Sequence, residues 1–171
     1  MRHGETDWTN GKAGTSPSEL PINADGIRQS ENMVQIIKDL QFDVVFCSSL
    51  LRARQTAEIA VPDREIIFDD RIVEINFGDV GEVALEKRSE VFTAFYDGKF
   101  KPKGAETFKE IEYRVVSFLD AVQKGCGSKK VLVITHAGIS RVIRRYFWGF
   151  PKEKHYSVFP SPKPCEIIKV Q

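Results

Sequence analysis

The run Val131-Leu132-Val133-Ile134 constrains the fold of this chain more than any other stretch. It is apolar at every position and rich in β-branched residues, and it lies within a predicted strand from Lys130 to Thr135. A strand with one wetted face alternates apolar and polar side chains with a period of two. This run does not alternate, so it suits a sheet covered on both faces. Covered sheets take their covering from helices in the connections between strands, so amphipathic helices are expected elsewhere in the chain.

They fall where that expectation needs them. Asp43-Val44-Val45-Phe46-Cys47 reads as another buried strand, and Glu65–Phe68 and Cys165–Val170 as further strands. One helix is predicted over 24–40, with Asn23 as N-cap and Ile27, Val34, Ile37 and Leu40 on its apolar face. Residues 50–60 read as a second helix, and 83–97 as helical too. Thr107-Phe108-Lys109-Glu110 has the form of a capping box opening another helix, whose apolar face would use Phe108, Ile111, Val115, Leu119 and Val122. A last helix is predicted over 139–148, stopping before Gly149 and Pro151. Residues 11–22 and the Pro-rich stretch Phe159–Pro164 read as loops. Strand and helix in alternation predict an α/β fold with a mostly parallel sheet. No repeat or linker divides the 171 residues, so a single domain over 1–171 is expected.

Several function classes are excluded by composition. The 25 Lys and Arg nearly cancel the 24 Asp and Glu, so no global field points to nucleic acid or an anionic membrane as partner. The three cysteines are widely spaced with no C-x-x-C pair, which argues against a disulfide framework or a zinc site and suits a reducing compartment. No apolar run has the length of a bilayer span, and the opening is a charged motif rather than a signal peptide. Cytoplasm is the expected location.

In open α/β sheets, ligands sit beyond the carboxyl ends of the strands. His136, in Thr135-His136-Ala137-Gly138, follows one predicted strand directly, and Ser48, Ser49 and Arg52 follow another. His3, in Arg2-His3-Gly4-Glu5-Thr6, would join them only if a strand preceded it. Two arginines and two imidazoles suit phosphoryl transfer, which needs cations around the equatorial oxygens and a nucleophile held in line. Arg2 and Arg52 are shaped for bidentate contact with phosphate. Their charge would keep His3 neutral, hence nucleophilic, and would stabilise the group it attacks. His136 would add a further hydrogen bond. The leaving oxygen needs a proton, and Glu74, in Val73-Glu74-Ile75-Asn76-Phe77-Gly78, is the candidate donor.

Taken together, these segments resemble the histidine phosphatase superfamily, the phosphoglycerate-mutase-like proteins. Arg2–Thr6 matches its R-H-G-E-[ST] signature, Ser48–Ala57 its serine–arginine segment ending in Gln-Thr-Ala, and Thr135–Gly138 its second histidine motif. Glu74–Gly78 is similar to its E-x-x-F-G segment and Gly104–Thr107 to its G-G-E-S. The matches keep the family's order. The resemblance implies a three-layer α/β/α sandwich and a phosphohistidine intermediate on His3. It implies a phosphate pocket from Arg2, Arg52 and His136, with Glu74 as proton donor, no metal and no cofactor. Asn10 resembles the asparagine that helps bind phosphate, although Trp8-Thr9-Asn10 replaces the family's direct Trp-Asn pair. Only Met1 precedes Arg2 where the family has a hydrophobic strand, so the first strand is expected to be cut short there. The expected activity is hydrolysis of a small phosphorylated metabolite, as in the short phosphatase branch with α-ribazole and broad-specificity phosphatases. A phosphoglycerate-type mutase or bisphosphatase is the alternative, and a non-catalytic phospho-ligand-binding relative is a second.

Blander readings apply to other residues. Glu5 is expected to be a local hydrogen-bond partner, Glu106 and Thr107 to be cap residues, Arg54 to be structural or at the surface, and His155 to be at the surface. A cysteine phosphatase needs C-x5-R, and Cys47 has its arginines at other offsets.

Overall fold

A computed structural model describes residues 1–7, 19–78, 85–149 and 156–170. Trp8, Asn10, His155 and most of the predicted 11–22 loop lie outside the described residues. The elements run α1 (Ala24–Leu40), β1 (Val44–Cys47), α2 (Leu51–Ala60), β2 (Ile67–Phe68), α3 (Leu85–Tyr96), α4 (Phe108–Cys126), β3 (Val131–Ile134) and α5 (Ala137–Trp148), with short 3₁₀ turns at Asp70–Ile72 and Tyr156–Val158. The fold is α/β, as the alternation of strand and helix predicts.

The strands are parallel, in the order β2-β1-β3. Register places Cys47 beside Ile134 and Phe68, so β1 and β3 end level with one another. Residues 1–3 lie along the end of β3. Arg2 bridges Thr135 in parallel, the His3 N–H donates to the Thr135 carbonyl at 3.0 Å, and the Thr135 N–H donates to the Met1 carbonyl at 2.9 Å. His3 therefore emerges on the same edge as Ser48 and His136.

Both faces of the sheet are covered. On one, Val45, Cys47, Leu132 and Ile134 pack against Met33 and Ile37 of α1 and Ala53 and Ala57 of α2. On the other, Phe46 and Val133 join a cluster around Val115 and Phe118 of α4 and Ile139 and Val142 of α5. Full burial of an aliphatic or aromatic side chain contributes about 1.5–3 kcal/mol, so these two layers of contact hold the sheet. Among the described residues no helix is long and apolar enough to cross a membrane.

Helix starts follow the predicted chemistry. The Asn23 side chain accepts the Gly26 N–H at 2.9 Å, capping α1. Thr107 and Glu110 form the reciprocal capping box of α4. The buried face of α1 differs from expectation: Gly26, Ser30, Met33 and Ile37 are buried, whereas Ile27 is 41% exposed. The cause is a contact that apolar periodicity cannot reveal. A Cβ on Gly26 would stand 2.2 Å from the Glu5 carbonyl oxygen, and one on Gly4 would stand 2.7 Å from the Gly26 carbonyl oxygen. Helix and loop meet backbone to backbone there, which turns α1 toward its glycine.

Two predicted strands are corrected. Only Ile67 and Phe68 of 65–68 pair, on the edge, with both side chains exposed. Residues 165–170 form no regular strand: the run opens in a turn on Cys165, which is left-handed at φ 58°, and the residues after it join no ladder. Contact with the first residues survives nonetheless: the Arg2 N–H donates to the Glu166 carbonyl and the Cys165 N–H to the Arg2 carbonyl, each at 3.1 Å.

Candidate active site

His3 is buried at 5% exposure, and its position is set from two sides. The backbone of the preceding residue pairs with Thr135, just past the end of β3, and the Gly4 N–H donates to the Thr56 hydroxyl at 2.9 Å, which in turn donates to the Arg52 carbonyl at 2.7 Å. Thr56 thus ties the histidine's turn to α2. His3 Nδ1 lies 2.7 Å from the Gly4 carbonyl oxygen. A carbonyl can only accept, so Nδ1 carries the hydrogen and Nε2 keeps its lone pair. Burial, reinforced by the Arg52 and Arg2 charges, pushes the imidazole down to about 3, so it is neutral at ordinary pH.

The His136 ring stands 5.0 Å from that of His3, tilted by 57°. It is fully buried at the N-cap of α5, and burial first, then the charges of its neighbours, hold it well below the usual imidazole range. Its Nε2 is 2.7 Å from the Ser48 hydroxyl, which also accepts the Leu50 N–H at 3.3 Å. His136 Nδ1 is buried with no partner among the described residues. When the Ser48 hydroxyl donates to Nε2, Nδ1 carries the hydrogen and is available to donate to a bound group. Ser48 sits one residue beyond β1, the same kind of post-strand position that singled out His136, yet no motif logic tied the two together.

Arg52, 3% exposed, lies in the first turn of α2 within the field of Arg2 and Glu74. Arg54 points away and pairs with Glu19 at 3.5 Å, in keeping with its expected surface role. Arg2 donates from Nη1 to the Pro162 carbonyl at 2.8 Å, while its Nε is buried without a partner among the described residues. The Pro-rich loop is itself pinned to α5: Arg144 donates to the Pro160 carbonyl at 2.6 Å, and Arg141 donates to the Phe159 carbonyl and the Ser161 hydroxyl. Proline has no N–H, so the backbone of this loop presents mainly acceptors to three guanidiniums.

Glu74 reaches the same place. One carboxylate oxygen accepts the Ile75 N–H at 2.9 Å and the other the Gly138 N–H at 3.3 Å, in the first turn of α5. Gly138 leaves the space for it, because a Cβ there would lie 2.5 Å from Glu74 Oε1 and 3.0 Å from the Tyr96 hydroxyl. Tyr96, unnoticed in the sequence, is a buried phenol raised by burial and by the Glu74 charge, with the Arg141 guanidinium 4.5 Å from its ring. The neighbouring acids are otherwise engaged: Asp69 holds Arg71 at 2.6 Å, and Asp70 accepts from Ser49. Among the described residues no group of three or more His, Cys, Asp or Glu side chains is gathered to hold a metal ion.

Five of the six residues singled out in the sequence, His3, Arg2, Arg52, His136 and Glu74, are brought into one network of contacts and mutual fields; Asn10 lies outside the described residues. Glu5, as expected, is a local partner, near the Asn23 and Gln29 side chains at 3.4 and 3.3 Å.

The sequence and fold of the chain are similar to those of known phosphatases. A phosphatase of Bacillus subtilis (strain 168), PhoE, named as uncharacterised, is 32% identical over 155 residues, covering 89% of this chain and 78% of that protein. The adenosylcobalamin/α-ribazole phosphatase of Escherichia coli (strain K12) is 26% identical over 161 residues, covering 90% and 79%. The crystal structure of the α-ribazole phosphatase from Shigella flexneri superposes with a TM-score of 0.78 at 25% identity, over 96% of this chain and 85% of that one. The profile of the histidine phosphatase superfamily (branch 1) matches residues 1–171 from end to end, and the chain belongs to that family.

Proposed function

We propose that this protein is a phosphomonoesterase that hydrolyses a small phosphorylated metabolite through a phosphohistidine on His3, with residues 1–171 acting as one catalytic unit. One observation carries the reading: a neutral imidazole, its tautomer fixed by the Gly4 carbonyl, is buried in the field of two arginines. Nε2 attacks phosphorus, the N–P bond forms, and the ester P–O bond breaks. Arg2 and Arg52 take the equatorial oxygens, and the waiting Nδ1–H of His136 donates to one of them. Glu74 protonates the departing oxygen. It then removes a proton from water, which attacks phosphorus and releases inorganic phosphate and the free imidazole. No step draws on a metal or a cofactor. The phosphatase relatives support the reaction class, and a small phosphorylated metabolite fits the name of the adenosylcobalamin/α-ribazole phosphatase.

Quenching the enzyme during turnover of a ³²P-labelled phosphomonoester, with EDTA present, should trap an acid-labile, base-stable adduct. His3→Ala should trap none. Label retained on that variant, or turnover restored to an EDTA-treated enzyme only by a divalent ion, would overturn the mechanism.

A further inference from the structure

Glu74 stands on a segment with little regular structure, between the 3₁₀ turn at Asp70–Ile72 and Gly78. A proton donor must nevertheless be held to a fraction of an ångström. The required rigidity has an identifiable source in α4. Arg114 Nη1 donates to the Arg71 carbonyl at 2.8 Å and to the Val73 carbonyl at 2.9 Å, and Nη2 reaches the Glu74 carbonyl at 3.4 Å. Nε and Nη2 also grip the Glu106 carboxylate at 2.8 and 3.0 Å. All the N–H donors of one guanidinium are engaged in this way. Glu106 completes the frame: its Oε2 accepts the Asn76 N–H at 2.7 Å, and its own N–H donates to the Asn76 carbonyl at 2.9 Å. The pair is 16% and 22% exposed, so solvent screens it only in part.

Neither residue bonds to the imidazoles, to Arg2 or to the Glu74 carboxylate. Both act on the main chain on either side of Glu74. A guanidinium serves this purpose and an ammonium does not, because three carbonyls and a carboxylate lie in the directions of a planar fork.

We infer that Arg114 and Glu106 are positioning residues that fix the Glu74 carboxylate at the leaving-group oxygen. This rests on the proposed acid–base role of Glu74. Losing the pair should therefore impair proton donation selectively, leaving phosphate capture intact.

The test uses the leaving group as readout. Arg114→Lys retains the charge, including its field at His136, and removes the fork. Glu106→Gln is the second variant, should the first fail to fold. Each is assayed with an alkyl phosphate, whose leaving group needs a proton, and with an aryl phosphate, whose leaving group needs little help. Inorganic phosphate serves as competitive inhibitor, alongside Glu74→Gln and the double variant. Glu74→Gln should lose about 10²–10⁴-fold on the alkyl substrate, and less on the aryl one. Arg114→Lys should lose about 10- to 100-fold in kcat on the alkyl substrate and much less on the aryl one, with inhibition by phosphate unchanged. Added to Glu74→Gln, it should cost little more, because the acid it serves is already gone. Equal losses on both substrates, or full additivity with Glu74→Gln, would reduce the pair to a purely structural brace. If Glu74→Gln itself shows no leaving-group dependence, the acid role of Glu74 fails first, and the inference fails with it.

Discussion

At the scale of single residues, the buried imidazole of His3 behaves unlike one in water. Burial, with Arg52 and Arg2 behind it, takes it from 6.5 to about 3, and His136 moves in the same direction. The nucleophile should then stay deprotonated through mildly acidic conditions, so kcat/KM should show no acid limb near 6.5 belonging to His3. A limb there that vanished with its NMR titration would contradict the assignment. The same shift bears on stability. The unfolded chain takes up protons near 6.5 and the folded chain does not, so the stability present above 6.5 is lost as pH falls toward 3. Urea midpoints should drop between pH 7.5 and pH 5, and the drop should be smaller in His3→Asn. His3, Arg52 and His136 were legible in the sequence because each stands in a compact motif beside a strand end. The Ser48–His136 bond and the Glu74–Gly138 contact were not, since each joins segments far apart in sequence, 88 and 64 residues respectively.

Elements were legible to the extent that their signals are local. Asn23 and Thr107 cap their helices within one turn of chain, and both starts could be read directly. The face of α1 could not, because it is decided by Gly26 against Gly4 and Glu5 rather than by apolar spacing. Gly26→Ala should therefore destabilise the fold by about 1–3 kcal/mol, the usual cost of overpacking. It should also depress activity, since the obstructing atoms belong to the loop that carries His3. Gly125, near the end of α4, is the control: a Cβ there meets nothing within 4 Å, so Gly125→Ala should be neutral or stabilise by up to about 1 kcal/mol. Chemical denaturation of both variants, with kcat measured in parallel, checks the contrast. Matching effects at the two sites would mean that the close approach has no energetic weight. Similarly, the strand predicted at 165–170 opens instead in a turn on a left-handed residue, Cys165, which no composition rule marks.

For the whole molecule, the α/β class followed from strands alternating with helices, whereas the order β2-β1-β3 did not, because strand neighbours are chosen by packing rather than by adjacency in sequence. The placement of residues 1–3 has a further consequence in time. They lie between Thr135 on one side and Cys165–Glu166 on the other, and Arg2 reaches Pro162, 160 residues along the chain. A ribosome adds about 5–20 residues per second, so His3 waits on the order of ten seconds before its sheet partners exist. Until then α1, α2 and the helices that follow can assemble while the nucleophile's turn has only its contacts with α1 and α2 and lacks its sheet partners. Closing so long a loop is slow on entropic grounds. Refolding from denaturant should therefore regain helical circular dichroism before it regains phosphatase activity, and simultaneous recovery would show that the opening residues dock as early as the helices do. Activity is then the last property the chain acquires, and any event that frees its opening residues removes the nucleophile while much of the helical structure remains.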